Sequence, residues 1–549
     1  MRTGGQILID QLEVEGVSLI FGVPGESYLA ALDALFDHPT IRFIVCRQEG
    51  GAAMMADAAG RLSGRPGVAF VTRGPGATNA SPALHIARQD SVPLVLLIGQ
   101  VGRDMREREA FQEIDYKAFF GDVAKLVIEV DDARRLPEFV HRAFATATAG
   151  RPGPVVLALP EDMLRDQVEC PPAAASASIE ASPDPAAITR LGDMLAAAER
   201  PFVILGGGGW QADGYQAMRK FAENWQLPVG CSFRRQSLFD NAHPCYAGHV
   251  GLGINPSLRS RIEGADLVLA LGTRLSEAST DGYTLISQTR TDQALVHAVA
   301  DPHEVGRVYQ PSLGIVSGVN RLAEALANLP APEAIPWRAR TEAAHRDYRA
   351  HVEPVPAPGA LNLSEVLAHI RERLPADAIV CNGAGNYASW VNRFYIFRRF
   401  MTQLAPTSGS MGYGMPAAVA AALCRPRTPV LAFAGDGCFL MNGQELATAV
   451  QYQTKLIILV VNNGMFGTIR MHQERAYPGR TSGTAIANPD FAALARAYGA
   501  RGEQIETTAA FGPALERALE AEGPSLIELV IDPDQIMPGK SLADLARPS

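Results

Sequence analysis

RTPVLAFAGDGCFLMNG (Arg427–Gly443) and, a short way on, LIILVVNNG (Leu456–Gly464) decide the fold of this chain. The apolar run Pro429–Ala434 ends at Gly435-Asp436-Gly437, and the run Leu456–Val461 ends at Asn462-Asn463. Short continuous apolar runs bounded by turn residues are how buried parallel strands read. Between them Phe439–Gln451 has helical spacing. The unit is therefore strand, turn, helix, strand, with Asp436 and Asn463, twenty-seven positions apart, at neighbouring strand ends. Open α/β sheets bind their ligands at that edge. One carboxylate, one amide oxygen and a loop carbonyl form a hard oxygen site that suits Mg²⁺ with phosphate oxygens and suits a soft metal poorly. The glycines allow close backbone approach, and the amides of Gly437 and Cys438 at a helix start favour phosphate. A GDG turn alone is more often only a tight turn; the preceding strand, the spacing and the Asn pair favour the ligand site.

A second stretch rhymes with the first. RPGVAFVTRGPGATNA (Arg65–Ala80) also gives a strand, a glycine turn and a helix, which suggests two similar domains sharing a ligand. Further strands are expected at Ser18–Phe21, Arg42–Cys46, Val68–Thr72, Leu94–Ile98 and Val155–Leu159. The middle of the chain offers Phe202–Leu205, Pro228–Cys231 and Leu267–Leu271, and the last part adds Ala378–Cys381 and Ser525–Val530. Strands alternating with amphipathic stretches indicate parallel α/β sheets. Two segments read as linkers, Cys170–Ala187 and Leu329–Pro358, both proline-bearing and without strand periodicity. The expected fold is α/β, with three doubly wound parallel-sheet domains at 1–170, 188–330 and 360–549. A length of 549 residues suits three or four domains at roughly 150 residues each.

Composition narrows the class. Hydrophobic residues make up 47% and charged residues 19%, which excludes a disordered chain, and a net charge of −9 argues against nucleic-acid or anionic-membrane partners. Seven scattered cysteines without a C-x-x-C pair fit reduced thiols in a cytoplasmic protein. The N-terminal stretch has no signal-peptide core, and no apolar run approaches the ~20 residues that cross a bilayer.

These motifs resemble thiamine-diphosphate enzymes of the acetolactate synthase, pyruvate oxidase and benzoylformate decarboxylase superfamily. The resemblance runs through CRQEGGAAMMADAAGRLSGRPGVAFVTRGPGATN (Cys46–Asn79), AFQEID (Ala110–Asp115), GRPGPVVLALPEDM (Gly150–Met163), SGSMGYGMPAAVAAAL (Ser408–Leu423), GDG and NN. It implies that Asp436, Asn463 and the carbonyl of Met465 bind Mg²⁺. It places Asn386, Tyr387, Gly435, Gly437, Cys438 and Phe466 by the cofactor. The three domains become pyrimidine-binding, central and diphosphate-binding. Glu49, taken alone, is an ordinary helix-start glutamate. By resemblance it matches the carboxyl group that hydrogen-bonds the aminopyrimidine and favours its imino tautomer, which removes the thiazolium C2 proton. Met411 matches the apolar residue that holds the cofactor bent, and the Gly409 carbonyl matches the acceptor of its exocyclic amine. In such relatives Glu49 and the GDG domain come from different subunits, which implies a homodimer, often paired into a homotetramer.

The substrate side is less defined. Gly25, Glu26, Ser27, Thr72, Arg73, Gln112 and His472 are the expected pocket residues, with Glu49, Gln112 and His472 the candidate catalytic groups. His472 could shuttle protons or be an exposed helix histidine, and Glu26 with Arg73 could grip a polar substrate or form an ordinary ion pair. Two departures from acetohydroxyacid synthases stand out. His472 replaces a tryptophan that favours a ketobutyrate acceptor, and Arg274-Leu275-Ser276-Glu277-Ala278 lacks the second arginine of RFDDR. The second weakens the case for FAD. The expected activity is a 2-ketoacid decarboxylase or carboligase acting on a ketoacid or aldehyde. Alternatives are a lyase acting on an acyl-CoA or hydroxyketone, a flavin or nicotinamide oxidoreductase suggested by Gly206–Gly209, and a non-catalytic thiamine-binding subunit.

Overall fold

The computed structural model describes residues 1–287 and 292–545. Three six-stranded sheets, parallel throughout, carry the chain. The first holds β1 (Leu19–Gly22), β2 (Arg42–Val45), β3 (Gly67–Val71), β4 (Leu94–Gln100), β5 (Leu126–Glu129) and β6 (Pro154–Pro160). The middle sheet holds β7 (Pro201–Leu205), β8 (Val229–Ser232), β9 (Tyr246–Val250), β10 (Leu267–Leu271), β11 (Ala294–Val299) and β12 (Leu313–Val316). The last holds β13 (Ile379–Asn382), β14 (Gln403–Leu404), β15 (Val430–Gly435), β16 (Ile457–Asn462), β17 (Arg501–Ile505) and β18 (Ser525–Val530).

Strand order confirms the rhyme. The first sheet runs β2-β1-β3-β4-β6-β5 and the last runs β14-β13-β15-β16-β18-β17, the same order displaced along the chain. The strand before TRGPG and the strand before GDG are thus each third in sequence, beside the first, where the winding of the sheet reverses. That reversal opens a crevice at the carboxyl edge. The middle sheet runs β9-β8-β7-β10-β11-β12. Three doubly wound α/β domains are therefore present, as the apolar runs implied.

By contacts the chain gathers into two compact units. One is Met1–Ile179 with Val419–Cys424 and Asn442–Tyr452; the other holds the middle sheet and the rest of the last segment. In the first unit, helix Glu49–Ser63 is opened by the Gln48 side chain, which accepts from Gly51 N, and closed by Gly64 at φ +69°. The carboxylate of Glu445, fully buried, accepts from Arg47 N (3.1 Å), Gln48 N (3.0 Å) and the Thr448 hydroxyl (2.6 Å). Burial pushes that carboxyl above the ordinary range. Among the described residues no helix is long and apolar enough to cross a membrane.

Three expectations change. Strands β5, β9, β12, β14 and β17 lack the continuous apolar signature and all lie beside or at sheet edges: β12 alternates buried and exposed residues, and β17 reads RGEQI. The interior strand β11 (ALVHAV) has its run broken by His297. The helix expected over Phe439–Gln451 starts earlier, at Asp436, and breaks into Asp436–Asn442, a short turn at Gly443–Glu445, and Leu446–Gln451. Cys170–Ala187 has no regular structure until a helix opens at Pro185, but Leu329–Pro358 is not a linker. It contains helix Arg338–His351, which packs on the β9 edge of the middle sheet. There Tyr348 meets Tyr246 edge-on at 4.8 Å, and the His345 ring nitrogen Nδ1 lies 2.9 Å from Tyr246 O. Its seal is Trp337, 1% exposed, whose indole N–H donates to Trp225 O at 2.9 Å. Trp337→Ala should lower the stability of this unit by about 3–5 kcal/mol, the cost of emptying a buried aromatic site. The shift in its urea unfolding transition measures this.

Candidate active site

Strand β15 delivers Asp436 to the carboxyl edge, where Gly435 pairs with Val461 of β16, so that Asn462 and Asn463 follow directly alongside. Asp436 is 3% exposed. Its Oδ1 accepts from Gly437 N (2.7 Å), and its Oδ2 from Gly464 N (2.9 Å) and from Asn488 Nδ2 (2.8 Å). The Gly437 amide, expected to face phosphate, is therefore turned to the Asp436 side chain. Asn463 Oδ1 accepts from Met465 N at 3.2 Å. The Met465 carbonyl accepts from Gly467 N at 2.9 Å across a tight turn at Phe466 (φ −73°, ψ 77°). One lone pair of that carbonyl stays open.

A cavity of about 260 Å³ lies at this edge. Asn386, Tyr387, Gly409, Met411, Gly435, Asp436, Gly437, Cys438, Asn463, Met465 and Phe466, the expected cofactor-binding residues other than Glu49, line it. A Cβ at Gly437 would meet the Phe466 ring at 2.7 Å, so a larger residue there would force that ring to shift. Tyr387 OH lies 3.2 Å from Cys438 Sγ, which also receives Gly412 N at 3.2 Å; burial holds the phenol well above its ordinary pKa. Asn386 Oδ1 accepts from Thr468 Oγ1 at 2.9 Å. The donor set presented to a cation is all oxygen, and among the described residues there is no cluster of three His, Cys, Asp or Glu. That fits Mg²⁺, which needs one carboxylate and fills its shell with phosphate and water.

In the first unit the carboxyl ends of β1, β2 and β3 assemble the other candidates. Ser27 Oγ lies 2.9 Å from Thr72 Oγ1, and Gly25 presses so closely on Thr72 that a Cβ would come within 2.6 Å. Glu49 Oε2 accepts from Asn79 Nδ2 at 2.9 Å on the helix that opens with the GPG turn. Gln112, at φ +66°, gives its carbonyl to Gly74 N at 2.8 Å, and its side-chain Oε1 is buried with no protein partner. Arg73 is buried between two carboxylates, Glu26 at 3.2 Å and Glu161 at 2.6 Å. The ion-pair reading of Arg73 and Glu26 is thus realised, with Glu161 a partner that the spacing did not suggest.

His472 is exposed on helix Gly467–Ala476 and lines a larger cavity of about 920 Å³ in the second unit, which shares Asn386 and Gly409 with the smaller one. Glu277 and Ala278 of the altered loop lie on the same wall. The Gly206–Gly209 run has a packing reason, since a Cβ at Gly207 would sit 1.9 Å from Gly272 O. Sequence reasoning missed Asn488, Glu528 and Glu445. Only Glu445, eight positions beyond Gly437, lay near a motif.

With this geometry in view, comparison with known proteins is direct. Family models match residues 2–119 (thiamine pyrophosphate enzyme, N-terminal TPP binding domain), 188–326 (central domain) and 383–529 (C-terminal TPP binding domain). The chain is 31% identical to the acetolactate synthase isozyme 2 large subunit of Escherichia coli, over 96% of this chain and 95% of the relative. It is 32% identical to the acetolactate synthase large subunit of Parasynechococcus marenigrum, over 99% and 90%. The chain belongs to the thiamine pyrophosphate enzymes, within their acetolactate synthase-like group.

Two histidines on or beside the larger cavity titrate far from neutrality. Burial, with His351 and Arg234 nearby, lowers His249 to about 4; burial, with Arg393 nearby, lowers His351 to about 4. Unfolded histidines take a proton near 6.5. Between about pH 6.5 and 4 the unfolded chain therefore binds protons that the native state refuses, and stability falls as pH falls. The double variant His249→Asn, His351→Asn should lose less thermal stability than the parent between pH 7 and 5. Melting curves at each pH measure the difference.

Proposed function

We propose that this chain is a thiamine-diphosphate- and Mg²⁺-dependent 2-ketoacid decarboxylase or carboligase, acting in the cytoplasm as a homodimer or homotetramer. The observation that carries the reading is the oxygen set of Asp436, Asn463 and the Met465 carbonyl at the mouth of the 260 Å³ cavity, in a chain of this family. Residues 1–170 would bind the pyrimidine, 188–330 form the central domain and 360–549 bind the diphosphate. Among the described residues no cysteine forms a disulfide bond, which supports a reducing compartment.

The bound cofactor supplies a carbon nucleophile and an electron sink for the pair released when a bond next to a carbonyl breaks. The protein's own groups prepare that chemistry. Asp436, Asn463 and Met465 O would hold the cation, with Asn386, Tyr387 and the 435–438 turn beside the diphosphate. Met411 would support the cofactor from its apolar side, and the Gly409 carbonyl would receive its exocyclic amine. Glu49, with Asn79 holding one of its oxygens, would give or take a proton at its carboxyl toward the pyrimidine. Gly25, Glu26, Ser27, Thr72, Arg73, Gln112 and His472 bound the substrate, with Gln112 Oε1 a buried acceptor awaiting a donor. We leave FAD out of the cofactor set, because Ala278 stands where the related loop carries an arginine.

A second reading, a lyase acting on an acyl-CoA or hydroxyketone, is favoured by one observation: the 920 Å³ cavity is far larger than a three-carbon ketoacid requires.

Glu49→Gln should leave folding intact and slow exchange of the cofactor C2 proton at least ~100-fold, the scale of lost acid–base catalysis; unchanged exchange by NMR would remove Glu49 from this role. Holoenzyme incubated with a panel of 2-ketoacids and aldehydes should release CO₂ and form acyloins detectable by mass spectrometry. Turnover of hydroxyketones or acyl-CoA alone would instead select the second reading.

A further inference from the structure

Thr484–Asn488 has no part in the site as built so far, and its geometry gives it one. The segment lies antiparallel beside the loop after β16. Phe466 N donates to Thr484 O at 2.8 Å, Ile486 N donates to Gly464 O at 2.9 Å, and Met465 bridges Ala485 between them. Asn488 then reaches under the loop. Its Nδ2 donates to Asp436 Oδ2 at 2.8 Å and to Asn462 Oδ1 at 2.9 Å, one hydrogen to each acceptor. Asn462 donates its own Nδ2 to Glu528 Oε1 at 2.7 Å. Glu528 is 1% exposed, inside β18, and its Oε2 and Asn488 Oδ1 are both buried without a hydrogen-bond partner.

We propose that Asn488 is a positioning residue for the divalent-cation site, oriented through Asn462 by the buried carboxylate of Glu528. The proposal rests on the reading of Asp436 and Asn463 as cation ligands. Its logic is a count of donors and acceptors. A carboxylate only accepts, so Glu528 obliges Asn462 to present its NH₂ to it and its oxygen to the other side. That oxygen, which also receives Gly464 N at 3.2 Å, takes one amide hydrogen of Asn488. The second hydrogen has Asp436 Oδ2 as its acceptor. With Gly464 N already there, both lone pairs of Oδ2 are engaged, whereas Oδ1 has accepted only Gly437 N. The carboxylate plane is held, and its one open acceptor position is on Oδ1. A cation such as Mg²⁺, which demands near-ideal octahedral geometry, gains from a ligand oxygen that cannot swing. Partners of ligating groups typically matter 10–100-fold in metal affinity.

The test is Mg²⁺ titration of the protein in the presence of thiamine diphosphate, by calorimetry, on the parent, Asn488→Ala, Asn488→Ser, Glu528→Gln and Glu528→Met. Asn488→Ala should raise the Mg²⁺ Kd about 10–100-fold. Its kcat at saturating Mg²⁺ should stay within about threefold of the parent, since added metal restores the geometry that positioning supplied. Asn488→Ser, which keeps a single donor, should fall between. Glu528→Gln, which can still offer an oxygen to Asn462, should remain within about threefold, whereas Glu528→Met should weaken Mg²⁺ about tenfold. If Asn488→Ala and Asn488→Ser bind Mg²⁺ as the parent does, or lose kcat at saturating metal with unchanged affinity, the positioning role is overturned. Asp436→Asn is the control for the underlying reading. If it too leaves Mg²⁺ affinity unchanged, the cation site itself is misplaced; if it abolishes binding while the Asn488 variants bind Mg²⁺ as the parent does, only the positioning role fails.

Discussion

A buried carboxylate surrounded by neutral donors is the constraint on which the candidate site depends. Asp436 is almost completely removed from water, and its three hydrogen-bond donors, two backbone amides and one side-chain amide, carry no charge. Hydrogen bonds to a charged group contribute roughly 1.5–3 kcal/mol each, but an uncompensated buried charge costs more than a few such bonds return. The proposed cation would supply the compensating charge. The Asn462 and Asn488 amides, the tight turn at Phe466 and the strap at Thr484–Asn488 all serve to hold that one charge at the end of β15.

The same carboxyl-edge geometry is used twice. The first and last sheets share one strand order, and in both the third strand ends in a glycine turn at the point where the winding reverses. In the last sheet that point holds Asp436, Asn463 and the 260 Å³ cavity. In the first it holds Glu49, Ser27, Thr72 and Gln112, none of which is a metal-ligating set. Two sheets of one strand order thus carry different side chains at equivalent edges.

Buried interior strands announce themselves because both faces are apolar, so β1, β3, β4, β6, β7, β10, β13, β15, β16 and β18 were all legible. Edge strands such as β5, β12 and β17 meet water on one side or at their rim, and their mixed composition hides them. Helix Arg338–His351 was hidden among prolines and charges because its anchoring face is three residues and a preceding tryptophan, a pattern too sparse to stand out.

By itself the sequence determined the family, most interior strands and the neighbouring strand ends at which Asp436 and Asn463 lie, because strand runs, glycine turns and the spacing from Asp436 to Asn463 are short-range properties of the chain. Only the tertiary structure decided which groups surround them. Asn488 reaches Asp436 from fifty-two positions away, Glu528 reaches Asn462 from sixty-six, and Glu445 meets the turn before Glu49 from nearly four hundred. No local periodicity records such pairings, since they are set by how sheets and straps pack. The hydrogen-bond partners of a buried carboxylate become known only when the chain has closed around it.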